Sequence, residues 1–105
     1  MVLVDTSVWV EHFRKGRADL DLLLTSGQTM CHPFVIGELA CGNLGNRSQI
    51  LSLLETLPRA YIAEQEDVLG FIEQHRLMGK GLGYVDMHLL ASALLTNVRL
   101  LTLDK

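Results

Sequence analysis

Apolar residues along this 105-residue chain come in short runs, each closed by a charge, a glycine or a proline. The runs alternate between strand-like and helix-like spacing. Val2, Leu3 and Val4 form an unbroken apolar run ending on Asp5, so residues 2–5 read as a buried strand. Residues 6–13 follow as a helix, with Thr6 or Ser7 as its N-cap. The basic turn Arg14-Lys15-Gly16-Arg17 leads to a short helix over 18–27, stopped by Gly27. Residues 28–32 read as a strand, and 33–42 as a helix with Pro33 in its first turn, where a missing N–H does no harm. After a loop at 44–47, Ile50, Leu53, Leu54 and Leu57 recur at helical spacing over 47–57, and Pro58 ends that helix. Residues 60–63 read as a short strand, and 64–79 as a helix whose N-terminus carries Glu64, Glu66 and Asp67, as the helix dipole favours. A glycine loop over 79–83, an apolar helix over 84–96 and a strand over 98–104 complete the pattern.

Strands alternating with helices predict an α/β fold, a parallel sheet with helices on both faces. Ligands in such sheets bind beyond the carboxyl ends of the strands. No repeat, low-complexity tract or linker divides the chain, so residues 1–105 are expected to form one domain around one core.

Composition narrows the class. At 49% hydrophobic residues the chain is no disordered tail. Its apolar runs fall short of the roughly 18 residues of a membrane span, and its start lacks the features of a signal peptide, so a soluble, cytoplasmic protein without a membrane partner is expected. Cys31 and Cys41 form no CxxC pair and are expected to be reduced thiols. A net charge of -3 gives no global attraction to nucleic acid. A polyphosphate partner would need a local basic patch or bound cations.

Asp5 and Asp104 stand at the carboxyl ends of the first and last strands, and converge if those strands are neighbours. Glu38 interrupts the apolar helix PFVIGELAC, and Asp86 sits in the first turn of YVDMHLLASALL. A lone buried charge costs several kcal/mol unless it is paired or coordinated, and cationic partners near these acids are scarce. A hard divalent cation such as Mg²⁺, which takes carboxylate and water oxygens, answers all four. Each acid also has a plainer role: Asp5 as a helix N-cap, Glu38 bonded to a buried group, Asp86 as a dipole acid, Asp104 in a solvated turn. His12, His32, His75 and His88 are expected to be surface or structural residues, and Trp9, on an apolar helix, a core residue.

VDTSVWVEHF, the GEL of the third helix, GYVDMHLLASALL and LLTLDK, in this order and spacing, resemble the PIN-domain ribonucleases, in particular the VapC-type toxins of bacterial toxin–antitoxin pairs. The resemblance implies that Asp5, Glu38, Asp86 and Asp104 are catalytic, metal-binding acids, supported by the hydroxyls of Ser7 and Thr102. It also implies a Mg²⁺- or Mn²⁺-dependent endoribonuclease toxin of a type II toxin–antitoxin system. Its substrate would be single-stranded or loop RNA, such as tRNA or mRNA, and its partners a cognate antitoxin and a second copy in a homodimer. Members of the family usually continue past the position of Lys105 through another helix and a final strand.

The chemistry expected of such a site is attack by a metal-activated water in line with the phosphorus, leaving 5′-phosphate and 3′-hydroxyl ends. Arg14, Lys15 and Arg17 are the candidate substrate-binding cations. The alternative is a non-catalytic PIN-like module that binds RNA or protein. A phosphatase of the haloacid dehalogenase type wants a second Asp where this chain has Ser7, and a phosphoacceptor receiver domain wants an acid pair beside its first strand; neither is present.

Overall fold

The computed structural model describes residues 1–103. Asp104, one of the four acids singled out above, therefore lies outside the described residues. Among the described residues the chain runs β1 (Val2–Val4), α1 (Thr6–Lys15), α2 (Ala18–Thr25), β2 (Thr29–Met30), α3 (Pro33–Cys41), α4 (Arg47–Thr56), α5 (Gln65–His75), α6 (Tyr84–Thr96) and β3 (Arg99–Leu101).

The sheet is parallel, in the order β2-β1-β3. β1 pairs with β2 through Val2↔Thr29 and Leu3↔Met30, and with β3 through Val2↔Arg99, Leu3↔Leu100 and Val4↔Leu101. Val2, Leu3 and Val4 are all buried. Because successive strand side chains point to opposite sides, three buried in a row mean that helices cover both faces of the sheet.

The main core joins β1 to Val8 and Trp9 of α1, Leu20 of α2, Val35 and Leu39 of α3, Leu54 of α4, and Leu89 and Ala93 of α6. Trp9 is fully buried, as its place on an apolar helix predicts. A smaller cluster of Ala63, Val68, Met87 and Ala91 holds α5 against α6.

Most elements differ from the sequence pattern by a residue or two at their ends, with β3 shorter (Arg99–Leu101) and α1 running on through Lys15; three further differences have a clear physical cause. The expected strand over 60–63 does not form. A single bridge, Cys31↔Arg59, brings this segment beside the sheet. Beyond it the backbone N–H groups turn to α6, Tyr61 N donating to Thr96 Oγ1 at 2.9 Å and Ala63 N to Ser92 Oγ at 3.3 Å. Two hydroxyls thus replace a neighbouring strand.

α5 ends at His75 rather than at 79, because Arg76 adopts a left-handed conformation (φ 52°) and Leu77 N reaches back to Ile72 O at 3.0 Å. Finally, α1 is capped by Asp5 rather than by Thr6 or Ser7: the Asp5 carboxylate accepts from Thr6 N at 2.8 Å.

Candidate active site

Asp5 is where the strand pattern and the helix pattern meet. Its N–H donates to Leu101 O on β3 at 2.9 Å, continuing the ladder one residue past β1, while its carbonyl accepts from Val8 N and Trp9 N in α1. The side chain is thereby pinned at the carboxyl end of the central strand, only 5% exposed. Its carboxylate accepts three hydrogen bonds: Thr6 N on Oδ1 at 2.8 Å, and Ser7 Oγ at 3.1 Å and Thr102 Oγ1 at 2.7 Å on Oδ2. Ser7 Oγ in turn accepts from Leu103 N at 3.2 Å. A carboxylate offers about four lone-pair positions. Three are taken, and the free one is on Oδ1.

Asp86 occupies the third position of α6, where its Oδ2 accepts from Gly83 N at 3.0 Å. Asp5 and Asp86 line one cavity of about 120 Å³, walled by Leu82, Leu89, Leu90, Leu100 and Thr102. A larger cavity, of about 500 Å³, lies along the sheet at Val2, Arg99 and Leu101 and is lined by Asp19 rather than by any of the four acids. In parallel sheets the smaller one, beyond the carboxyl ends, is the expected position for chemistry.

Glu38 is placed differently. It is exposed on α3 and not buried in an apolar face, so the desolvation argument made for it from sequence does not apply. It connects to the site through Thr6, whose Oγ1 donates to Glu38 Oε1 at 2.6 Å. The sequence pattern offered Thr6 only as a cap; its adjacency to Asp5 was the available signal for this bridging position. Glu38 also borders a cavity of about 310 Å³ with Val10, Phe13, Arg14 and Leu44.

The basic turn is largely neutralised. Arg17 pairs with Glu11 at 2.8 Å and Asp19 at 2.7 Å, and Lys15 with Glu11 at 3.1 Å. The two acids hold the Arg17 guanidinium above its ordinary range, and Lys15 and Arg17 hold the Glu11 carboxyl below its own. Of the three candidate cations, Arg14 alone joins no ion pair among the described residues. None of the ion pairs among the described residues includes Asp5, Glu38 or Asp86.

The histidines near the site are structural. His32 is fully buried and caps α3: its Nδ1 accepts from Phe34 N at 3.0 Å, which places the proton on Nε2, 3.1 Å from Ser92 Oγ. Burial, with smaller contributions from His88 and Arg59, lowers its pKa to about 4. His88 is buried against His32, Phe34 and Tyr84, and burial lowers its pKa too.

A divalent cation fits this donor set only in part. Asp5 and Asp86 supply hard oxygens to one cavity and Glu38 stands one hydroxyl away. No three of the His, Cys, Asp and Glu side chains among the described residues form a metal-holding group by themselves. Two carboxylates completed by water or substrate oxygens suit Mg²⁺ or Mn²⁺, which keep several waters.

The PIN domain family profile matches residues 2–105. This chain belongs to the PIN-domain family. Two proteins of Mycobacterium tuberculosis, both called Ribonuclease VapC32 and from strains CDC 1551 / Oshkosh and ATCC 25618 / H37Rv, are each 46% identical to this PIN domain over 106 residues. The match covers 100% of this chain and 86% of each relative. The likeness to VapC-type PIN domains thus extends over the whole chain. No helix among the described residues is long and apolar enough to cross a membrane.

Proposed function

We propose that this PIN domain is a metal-dependent endoribonuclease, the toxin of a toxin–antitoxin pair, cutting RNA at the Asp5–Asp86 cavity. One observation carries the reading: two carboxylates share that cavity while no Lys or Arg of the described chain pairs with either. The likeness, over all of this chain, to proteins called ribonucleases supports the same conclusion.

Asp5 and Asp86 would hold Mg²⁺ or Mn²⁺, with Glu38 contributing through its link to Thr6 and Asp104 as a fourth acid. When bound, such a cation supplies neutralising charge for the phosphate oxygens and a water of lowered pKa. The chain's own work is positional. Ser7 and Thr102 fix Asp5 Oδ2, so the free lone pair of Oδ1 is held in one direction. The leucine walls place apolar surface around the two carboxylates, and a lower local dielectric would strengthen charge interactions there. His32 is engaged at both ring nitrogens and unsuited to acid–base catalysis; with a bound cation, water rather than the ribose hydroxyl is the expected nucleophile and 5′-phosphate the expected end.

The substrate would be single-stranded or loop RNA, with the antitoxin covering the acid cleft. Leu69, Leu94 and Leu95, all about half exposed on α5 and α6, offer apolar surface to a second copy. A non-catalytic RNA- or protein-binding module is the second reading, favoured by the exposure of Glu38 away from the Asp5–Asp86 cavity.

The deciding experiment is RNA cleavage with Mg²⁺, with Mn²⁺ and with chelator, comparing the unaltered chain with Asp5→Asn. Metal-dependent cutting lost in the variant is expected. Equal cutting by both proteins, or cutting in excess chelator, rejects the mechanism.

A further inference from the structure

Two aromatic rings at the N-terminal ends of α3 and α6 are exposed. Phe34 of α3 is 37% exposed and Tyr84 of α6 is 45% exposed. Both rest on His88, with ring centroids 4.4 Å from Phe34 and 5.7 Å from Tyr84, and His32 backs the group at 5.2 Å from Phe34 and 5.4 Å from His88. Two buried imidazoles thus fix two outer rings on different helices into one rigid platform.

Its position ties it to the acids. Glu38 follows Phe34 by four residues, on the same face of α3 and one turn away, ~5 Å along the helix axis. Tyr84 opens α6 two residues before Asp86, at the same end of the helix but on a different face, so the link to the acids runs through Glu38 and its bond to Thr6. Between Phe34 and Glu38 lies Gly37, exposed, where an added Cβ would meet nothing within 4 Å. A mid-helix glycine costs roughly 0.5–1 kcal/mol against alanine. Nothing in the chain's own packing requires it, and its absent side chain leaves a path for close approach from outside.

Charge decides what approaches. The chain carries a net charge of -3, and Lys15 and Arg17 are tied to Glu11 and Asp19. Attraction to the phosphate backbone then falls to cations outside these pairs, such as Arg14 beside Glu38, and contacts to the bases add the hold that two paired cations do not give. Base–aromatic stacking supplies about 1–3 kcal/mol per base without needing cationic surface. We infer that Phe34 and Tyr84, braced by His88, form a nucleobase-stacking subsite that holds unpaired RNA bases next to the scissile position. The subsite demands a base free of its duplex partner, which makes it the source of selection for single-stranded substrate.

This deepens the ribonuclease reading and rests on it, so binding and cleavage are measured apart. The probe is a single-stranded hexaribonucleotide carrying 2-aminopurine, titrated in chelator, where no metal-dependent cutting occurs. Quenching on binding to the unaltered chain is expected, since stacking quenches this base. Phe34→Leu and Tyr84→Leu, which keep apolar bulk without a π face, each weaken affinity about 10-fold, and Phe34→Trp retains it. Gly37→Ala raises Tm yet weakens probe binding. Absent quenching, or affinity unchanged in both leucine variants at unchanged Tm, overturns the subsite. So does conversion of a dimer to a monomer by light scattering with RNA affinity intact, which would assign the rings to a second copy. Loss of the ribonuclease reading registers separately, as no Mg²⁺- or Mn²⁺-dependent cutting by a chain that still quenches the probe.

Discussion

Thr102 Oγ1 donates a 2.7 Å hydrogen bond to Asp5 Oδ2, joining positions 97 apart in the chain. The hydroxyl just beyond β3 thereby fixes a carboxylate just beyond β1. The parallel pairing Val4↔Leu101 makes that meeting unavoidable, because it brings the two strands to their carboxyl ends side by side.

Thr102→Val keeps the shape and removes the donor. A hydrogen bond to a charged group contributes about 1.5–3 kcal/mol, and an orienting partner of a metal ligand typically contributes roughly 10- to 100-fold in activity or metal affinity. Losses on both scales are expected, with Thr102→Ser close to the unaltered chain. Urea denaturation and Mg²⁺-dependent RNA cleavage give the two readings; cleavage untouched by Thr102→Val would count against an orienting role.

Asp5 combines a structural and a chemical role, and two substitutions separate them. Asparagine is as good an N-cap as aspartate, whereas alanine costs about 1 kcal/mol there. Asp5→Asn should therefore keep the cap on Thr6 N but weaken the Ser7 and Thr102 bonds to the second oxygen position, a loss of about 1–3 kcal/mol, while cleavage falls at least about 100-fold, the scale of losing one preorganised charge-stabilising group. Asp5→Ala loses both. Thermal melts beside cleavage rates separate the two outcomes.

The buried His32 gives stability a pH dependence of known sign. Its ordinary pKa is 6.5 and its folded value about 4. As pH falls through 6.5 the unfolded chain takes up a proton that the folded chain refuses, so stability declines from pH 6.5 towards 4 and is insensitive to this group above that window. The pKa of His88 is shifted in the same direction. His32→Asn, which can still cap α3, should flatten the decline between pH 6.5 and 5. Melting temperatures across that interval give the comparison, and an unchanged slope in the variant would contradict it.

Ser92 accepts from two groups, the Ala63 N–H and the His32 Nε2–H. Ser92→Ala leaves both buried without an acceptor, and stranding a buried donor costs about 1–3 kcal/mol. A loss of about 2 kcal/mol or more is expected in chemical denaturation, with faster amide exchange at Ala63. A loss under half that size would mean that the loop finds other partners.

The sequence carried the alternation of strands and helices, because period and punctuation are local properties. Local reading failed where a distant group decided the outcome. Residues 60–63 have strand composition, yet Ser92 and Thr96, some thirty residues later, take up their donors. The end of α5 depended on Arg76 accepting a left-handed conformation, which no composition rule marks. Asp5 stood out as a charge ending an apolar run, and Asp86 as an acid opening an apolar helix. Glu38 looked similar in sequence but lies on an exposed face, because one acid among apolar letters does not show which side of the helix is covered. The pairing of Lys15 and Arg17 with Glu11 and Asp19 was equally hidden, since it depends on how α1 turns into α2.

β1 is the central strand, flanked by β2 and β3. During synthesis it is made well before β3, and it must wait for Arg99–Leu101 before its second edge is satisfied. A growing chain therefore holds Asp5 long before Thr102 exists to orient it. The geometry that fixes this carboxylate is thus completed only when β3 docks beside β1, a long-range closure that couples the order of the site to the pairing of the two strands.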